Sequence, residues 1–171
     1  DKTKNELIYT TQKKLKMLDG AGPRHLTFHP NNKWMYVLNE LNNTVSLVKE
    51  KNNTYFIKAS ITTLPAGFST DSKAADIHIS KDGKFLYTSN RGADSIAIFK
   101  VNITNGTLTS IGYTSVLGIN PRNFSLSPDE EFLLVANQDT NNIISFKRNP
   151  SSGALTFVDE IFAPTPVCIL F

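Results

Sequence analysis

The feature that most constrains the fold of this chain is an internal repeat of a strand–turn–strand unit. Equivalent first-strand positions are Leu26, Ile77, Phe124 and Ile169, which follow one another at intervals of 51, 47 and 45 residues. Two further strand patterns follow each of the first three copies, and no stretch shows a convincing helical period. A repeat of about 40–50 residues with four strands per unit is typical of a β-propeller, in which each unit forms one blade.

The sequence therefore predicts an all-β fold, a β-propeller of four-stranded antiparallel blades. Regularly spaced strands would also suit a β-sandwich, but an asparagine dipeptide ends the second strand of every copy in register, which favours the propeller. Three blades are too few to close a ring comfortably, so we expect about half of a larger propeller, its C-terminal half. The expected units are the end of a blade over 1–20 (strands 5–10 and 14–18), blades over 21–64, 74–116 and 121–163, and the first strand of a closing blade over 166–171.

Composition argues against several classes of partner. Lys and Arg number 18 against 15 acidic residues, for a net charge of +3, and they are scattered, which disfavours a nucleic-acid partner. No apolar run approaches the roughly 20 residues that span a bilayer, so no membrane partner is expected. Cys168 is the single cysteine and the three histidines lack metal-ligand spacing, so we expect neither a metal nor another cofactor. Localisation cannot be read from the first residues, and we favour the cytoplasm.

Polar side chains collect where the apolar strands begin and end. In a propeller the first strand of each blade lines the channel, and the loop entering it lies on the same face as the loop leaving the second strand. We therefore expect one mouth formed by residues of all three blades: Arg24, His25 and Glu40 from the first, Asp76 and Arg91 from the second, and Arg122, Asn123, Asn137 and Gln138 from the third.

A purely structural interpretation stands beside this one. The pairs Arg24–Glu40 and Asp76–Arg91 would then be cross-strand ion pairs that fix the register of each hairpin. His29, before a turn proline, and His78, in the middle of a strand, are expected to be structural. The asparagines that recur in every copy are better suited to capping a turn than to binding substrate: Asn39, Asn90 and Asn137.

Six stretches resemble a known family, in order and at plausible spacing: Gly20-Ala21-Gly22-Pro23-Arg24-His25, Tyr36-Val37-Leu38-Asn39-Glu40-Leu41, Ala75-Asp76-Ile77-His78-Ile79-Ser80, Tyr87-Thr88-Ser89-Asn90-Arg91-Gly92, Asn120-Pro121-Arg122-Asn123-Phe124 and Leu134-Val135-Ala136-Asn137-Gln138-Asp139. They look like the lactonase family of seven-bladed propellers, which includes propeller-type 6-phosphogluconolactonases and carboxymuconate lactonising enzymes. The resemblance implies a chain about twice as long, with arginines and a glutamate as the site. Arg24, Glu40 and Arg91 match by motif, whereas an upstream histidine of the family has no counterpart here, which leaves open whether this half alone is active.

The resemblance implies a lactone hydrolase similar to 6-phosphogluconolactonase. A muconate-type lactonising cycloisomerase and a non-catalytic propeller scaffold are the alternatives. Arginine suits a phosphate or carboxylate, and a carboxylate can transfer protons. We expect Arg24 and Arg91 to bind the anion and the oxyanion, Glu40 to transfer the proton, and His25 to be the alternative base. Substrate contacts are expected from Asp76, Arg122, Asn123, Asn137 and Gln138.

The expected partners are an anionic lactone and either the missing N-terminal half of the propeller or a second copy of the chain. The loop 64–72, an extra segment before the second blade, suits a mobile flap or a tolerated insertion.

Overall fold

The computed structural model describes residues 12–171, and within them the chain folds into three four-stranded antiparallel sheets without a helix. In each sheet, neighbouring strands are consecutive in the chain. The predicted all-β propeller fold is confirmed by this topology, since each sheet is one blade. Blade 1 holds β1 (Pro23–Phe28), β2 (Trp34–Asn39), β3 (Thr44–Lys51) and β4 (Thr54–Thr62); blade 2 holds β5 (Lys73–Ile79), β6 (Phe85–Arg91), β7 (Ser95–Val101) and β8 (Leu108–Ser115); blade 3 holds β9 (Pro121–Leu126), β10 (Phe132–Asn137), β11 (Asn142–Arg148) and β12 (Leu155–Phe162).

The second strand of the middle blade, β6, is buried from Phe85 to Asn90, because blades 1 and 3 pack on its two faces. This explains why Phe85, Leu86 and Tyr87 are consecutive apolar residues rather than alternating with polar ones. Two separate cores lie between the blades. The first joins blade 1 to blade 2 around Tyr36, Leu38 and Phe99, and the second joins blade 2 to blade 3 around Tyr87 and Phe146.

First-strand residues show which flank of a blade is covered. Ile77 and Phe124 are 3% and 0% exposed because each faces the preceding blade, whereas the equivalent Leu26 of blade 1 is 51% exposed. Equivalent positions of the repeat therefore have the same packing environment wherever a preceding blade is present. At about 25 cal/mol per Å² of buried apolar surface, these flanks carry much of the stability of the fold.

A second contact between blades recurs at the outer hairpins. The hydroxyl of Tyr36 donates to the main-chain oxygen of Gly106 at 2.8 Å, and Tyr87 makes the same bond to Gly153 at 3.0 Å. Both glycines have a positive φ (77° and 76°), and a Cβ added at Gly106 would lie 2.6 Å from the ring of Trp34. Glycine is required there by both conformation and space.

Two predicted strands are wrong, and one lies outside the described residues. Residues 14–18 are irregular; ahead of them, the side chain of Gln12 pairs with the main chain of Tyr55 at 3.0 and 2.5 Å. Residues 166–171 form no strand, because no described strand pairs with them, and the amide of Ile169 instead donates to Asn123 Oδ1 at 2.7 Å. The predicted strand 5–10 lies outside the described residues. In the described part, no helix is long and apolar enough to cross a membrane.

Candidate active site

A β-bulge occurs at the same place in the first strand of all three blades. In blade 1 the pairing steps from Pro23–Asn39 to His25–Leu38, which leaves Arg24 as the extra residue. The same slip occurs before Ile77 in β5 and at Arg122 in β9. A bulge bends its strand and re-aims a side chain, which is why such features recur at functional sites. The sequence shows the repeated motif but not the bulge.

Glu40 links two arginines from neighbouring blades. Its Oε2 lies 3.5 Å from Nε of Arg24, and its Oε1 accepts a hydrogen bond from Nη2 of Arg91 at 2.5 Å. The side chains of Arg24, Glu40 and Arg91 are 18%, 28% and 17% exposed, so the triad is largely shielded but reaches solvent. The expected proximity of Arg24 and Glu40 is confirmed. The alternative Asp76–Arg91 pair is wrong, because Arg91 pairs with the preceding blade.

The three arginines of the mouth lie close enough to affect one another. Burial lowers the pKa of Arg24, as do the positive charges of Arg91 and Arg122, while Glu40 opposes them. In the described part of the chain no carboxylate lies within ion-pairing distance of Arg122. The mouth therefore carries an excess of positive charge, which suits an anionic ligand.

Asp76 is the most heavily bonded side chain of the mouth. Its Oδ1 accepts from His25 Nδ1 at 2.7 Å and from the amide of Ile77 at 2.9 Å. Its Oδ2 accepts from His78 Nε2 at 3.2 Å and from Asn123 Nδ2 at 2.5 Å, with the amide of Phe124 at 3.4 Å. All three blades therefore meet at one carboxylate.

These donors keep Asp76 ionised. Burial alone would raise the pKa of its carboxyl, but the hydrogen bond and charge of His78, the hydrogen bond of His25 and the amide of Ile77 outweigh burial and lower the pKa to about 2. The prediction that Asp76 contacts substrate needs correction. The residue is buried and both oxygens are occupied, so it organises its neighbours instead.

The remaining third-blade residues divide into two groups. Asn123 stays at the mouth, between Asp76 and the amide of Ile169. Asn137 is fully buried and donates to Val116 O at 2.9 Å, so its expected contact with substrate is wrong, and its capping role is the one observed. Gln138 is partly buried next to it, and its main-chain N–H donates to the main-chain oxygen of Asn120 at 3.0 Å.

The two histidines expected to be structural differ. His29 is buried at the far end of blade 1, where its ring lies 3.1 Å from Gly83 O, as a structural residue would. His78 belongs to the Asp76 cluster, and its ring packs edge-on against Phe124. Its place two residues after Asp76, on the same face of β5, is the sequence signal for this contact. Within the described residues no group of three or more His, Cys, Asp or Glu side chains is arranged to hold a metal.

The loop 64–72 lies beside the mouth and is anchored at both ends. Tyr113 donates to Leu64 O at 3.0 Å, and Asn43 donates to Ser72 O at 2.8 Å. Gly92, directly after Arg91, is so close that an added Cβ would lie 2.3 Å from Asp71 O. Residues 66 and 67 between these anchors are exposed. A flap function for this loop stays a prediction.

Comparisons with known proteins agree with this architecture. The family model described as "Lactonase, 7-bladed beta-propeller" matches residues 1–171. A 6-phosphogluconolactonase of Serratia proteamaculans is 40% identical over 123 residues, which cover 71% of this chain and 37% of that protein. A 6-phosphogluconolactonase of Formosa agariphila is 46% identical over 115 residues, which cover 66% of this chain and 32% of that protein.

A solved structure extends the similarity to most of the chain. The periplasmic gluconolactonase of Pseudomonas aeruginosa superposes with a TM-score of 0.84 at 34% identity, over 89% of this chain and 43% of that one. The chain therefore spans less than half of this structural relative, and about a third of the two curated relatives it matches.

Proposed function

The chain belongs to the lactonase family of seven-bladed β-propellers, and on that premise we propose that the protein opens the ring of an anionic sugar lactone, with 6-phosphogluconolactone as the substrate. The observation that carries the proposal is the excess of positive charge at the mouth. Glu40 is shared between Arg24 and Arg91, while Arg122 has no carboxylate partner among the described residues. An arginine without a partner suits a phosphate group through its fork of donors.

The roles follow from position. Arg24 lies on the bulge beside His25 and polarises the lactone carbonyl, since a guanidinium stabilises the oxyanion that forms there. Arg91 and Arg122 bind the anionic group of the substrate. Glu40 holds two of the arginines and is a candidate for proton transfer, with His25 as the other candidate.

The test is a lactonase assay on the complete gene product beside the 171-residue chain. Ring opening of 6-phosphogluconolactone, of unphosphorylated gluconolactone and of a muconolactone is followed by acid release, because each reaction creates a new carboxylate. We expect the phosphorylated lactone to give the highest kcat/KM in the complete product. A protein that turns over none of the three contradicts the proposal, and a preference for the muconolactone would favour the cycloisomerase class.

Arg122 provides a sharper version of this test. In Arg122→Gln we expect kcat/KM for the phosphorylated lactone to fall at least tenfold, with little change for gluconolactone, because one charge-assisted contact is worth about 1.5–3 kcal/mol. Lys147→Gln removes the same charge from an exposed position in β11, which pairs at the far end of blade 3, and serves as the control. Equal losses of kcat/KM for both lactones would show that Arg122 does not bind the phosphate group.

A non-catalytic scaffold is the second candidate. It is favoured by the closed pairing of Glu40, whose two oxygens each meet one arginine. Such a protein would bind the lactone or its open acid without turnover. Calorimetry that shows binding in the complete product, together with no acid release, would support this candidate over the hydrolase.

We further propose that the uncovered flanks pack against other blades, either the rest of the propeller or a second copy. Leu26 and Phe28 are exposed on one flank, and Ile161 on the other, whereas its equivalent Ile61 packs against the first core. The 171-residue chain alone should therefore associate, as light scattering would show. A monomer with a cooperative melt above about 60 °C would contradict this, because it is high for an ordinary domain.

We also propose that the reaction takes place in the cytoplasm, because a phosphorylated sugar is too strongly charged to cross a bilayer unaided. Cell fractionation with an antibody against the protein tests this. Recovery outside the cytoplasm would instead match the periplasmic location given for the Pseudomonas relative.

A further inference from the structure

Asp76 and His25 differ sharply in their access to solvent, although they are bonded to each other. The side chain of Asp76 is 6% exposed and that of His25 is 44% exposed, and Nδ1 of His25 lies 2.7 Å from the carboxylate. His25 comes from blade 1 and Asp76 from blade 2, so this bond forms only when the two blades are packed together. A substrate in the mouth can reach the imidazole but not the carboxylate behind it.

We propose that His25 is the proton acceptor of this site and that Asp76 is the positioning residue that orients it. This inference rests on the proposed lactone hydrolysis and assigns its proton-transfer step. An ionised carboxylate only accepts hydrogen bonds, so the proton of a neutral His25 lies on Nδ1, and the lone pair lies on Nε2. The same argument applies to His78, whose Nε2 must donate to Asp76.

Arg24 determines where the substrate carbonyl lies relative to that lone pair. Its Nη1 lies 3.1 Å from Nε2 and 3.3 Å from Nδ1 of His25, and it donates to the main-chain oxygen of Ala75. A lactone carbonyl that accepts a hydrogen bond from Arg24 therefore lies beside the imidazole ring. A water molecule bound to Nε2 then lies next to the carbonyl carbon, as general-base catalysis requires.

The reaction balances with these groups alone. The water oxygen bonds to the carbonyl carbon and its proton passes to Nε2 of His25, while the π electrons move to the oxyanion beside Arg24. The oxyanion then re-forms the carbonyl, the ring C–O bond breaks, and Nε2 returns the proton to the leaving ring oxygen. Lactone and water become the open-chain hydroxy acid, and His25 is neutral again.

Glu40 is less suited to this step, because both of its oxygens are already engaged. Arg91 donates to one at 2.5 Å, and Arg24 lies 3.5 Å from the other. Taking up a proton would disrupt one of these two ion pairs. We assign Glu40 to holding the two arginines in place.

The test compares His25→Gln, Asp76→Asn, the double variant and Glu40→Gln in the complete gene product. We expect His25→Gln and Asp76→Asn each to lower kcat about 100-fold or more with KM nearly unchanged, which is the usual range for a general base. The double variant should be no slower than His25→Gln, because Asp76 acts through His25. Glu40→Gln should raise KM and lower kcat less than His25→Gln does, because it loosens the two arginines but leaves His25 and Asp76 in place, and Lys147→Gln should match the wild type.

Two kinetic results would overturn the proposal. One is a His25→Gln enzyme within threefold of the wild-type kcat, and the other is a double variant whose losses multiply, which would give Asp76 an independent role. The second measurement is ¹⁵N NMR of histidine-labelled wild-type protein, where we expect His25 to carry its proton on Nδ1. An Nε2-protonated His25 would refute the proposal even if Asp76→Asn does not fold. If no lactone is hydrolysed, the proposed function fails, and the NMR result still decides whether Asp76 orients His25.

Discussion

Lowering the pH should remove the stabilisation that Asp76 provides. Its pKa falls from the ordinary value of 3.8 to about 2 in the folded protein. A depressed pKa stabilises the fold above the pKa of the unfolded chain, and that contribution disappears as pH falls through the folded value. At about 1.4 kcal/mol per pKa unit, the contribution is about 2.5 kcal/mol near neutral pH.

The contribution should be complete at pH 5, fall to roughly half at pH 3 and be nearly absent below pH 2. Urea unfolding of wild type and Asp76→Asn at pH 7, 5, 4 and 3 measures this contribution. It is the part of the difference in unfolding free energy between the two proteins that changes with pH. A pH-independent difference will remain, because the amide of asparagine faces donors where the carboxylate accepts.

His78→Gln provides the matched control. Its ring supplies the largest of the effects that lower the pKa of Asp76, so the acid-labile part should shrink in this variant. If wild type and Asp76→Asn instead lose stability in parallel from pH 5 to pH 3, the carboxylate is not held ionised by these donors. The argument that fixes the tautomer of His25 would then fail with it.

Three further predictions concern packing and the loop. Gly153→Ala should lower the unfolding free energy by about 2–4 kcal/mol, because alanine is strained at φ 76° and its methyl would lie 2.5 Å from Phe85. Gly20→Ala, which has a similar φ but open space around it, measures the backbone strain alone. Equal losses of the two variants in chemical denaturation would show that the clash with Phe85 costs nothing. Tyr87→Phe should cost about 1–2 kcal/mol in the same assay, because the oxygen of Gly153 loses its donor, and no change would mean that water replaces the hydroxyl. Deleting residues 67–71 should leave the melting temperature nearly unchanged and lower kcat/KM of the complete product; unchanged kinetics would exclude a flap.

Much of the fold follows from the sequence because the repeat fixes it. The spacing of Leu26, Ile77 and Phe124 locates the three blades, and the observed sheets lie within a few residues of the predicted ones. The failures at 14–18 and 166–171 have one cause. A local β pattern shows that a segment can be a strand, but a strand needs a partner, and neither segment has one among the described residues.

The candidate site was predictable in part, for a similar reason. Motif position brings Arg24, Glu40 and Arg91 to one mouth, but partners across blades depend on contacts about fifty positions apart in the chain. Arg91 therefore pairs with Glu40 rather than with Asp76, the residue of its own hairpin. The bulge that aims Arg24 and the burial of Asp76 are tertiary features, and no local pattern encodes them.

The three first strands of the repeat carry different side chains at one equivalent position. At the position of His25, the next two copies carry Asp76 and Asn123, so successive repeats supply an imidazole, a carboxylate and an amide, and the carboxylate binds the other two. Their order along the chain is therefore part of the chemistry. Exchanging the second and third blades in the gene, with every hairpin kept intact, would place Asn123 where His25 needs a carboxylate, and we expect this rearrangement to inactivate the protein without changing its composition.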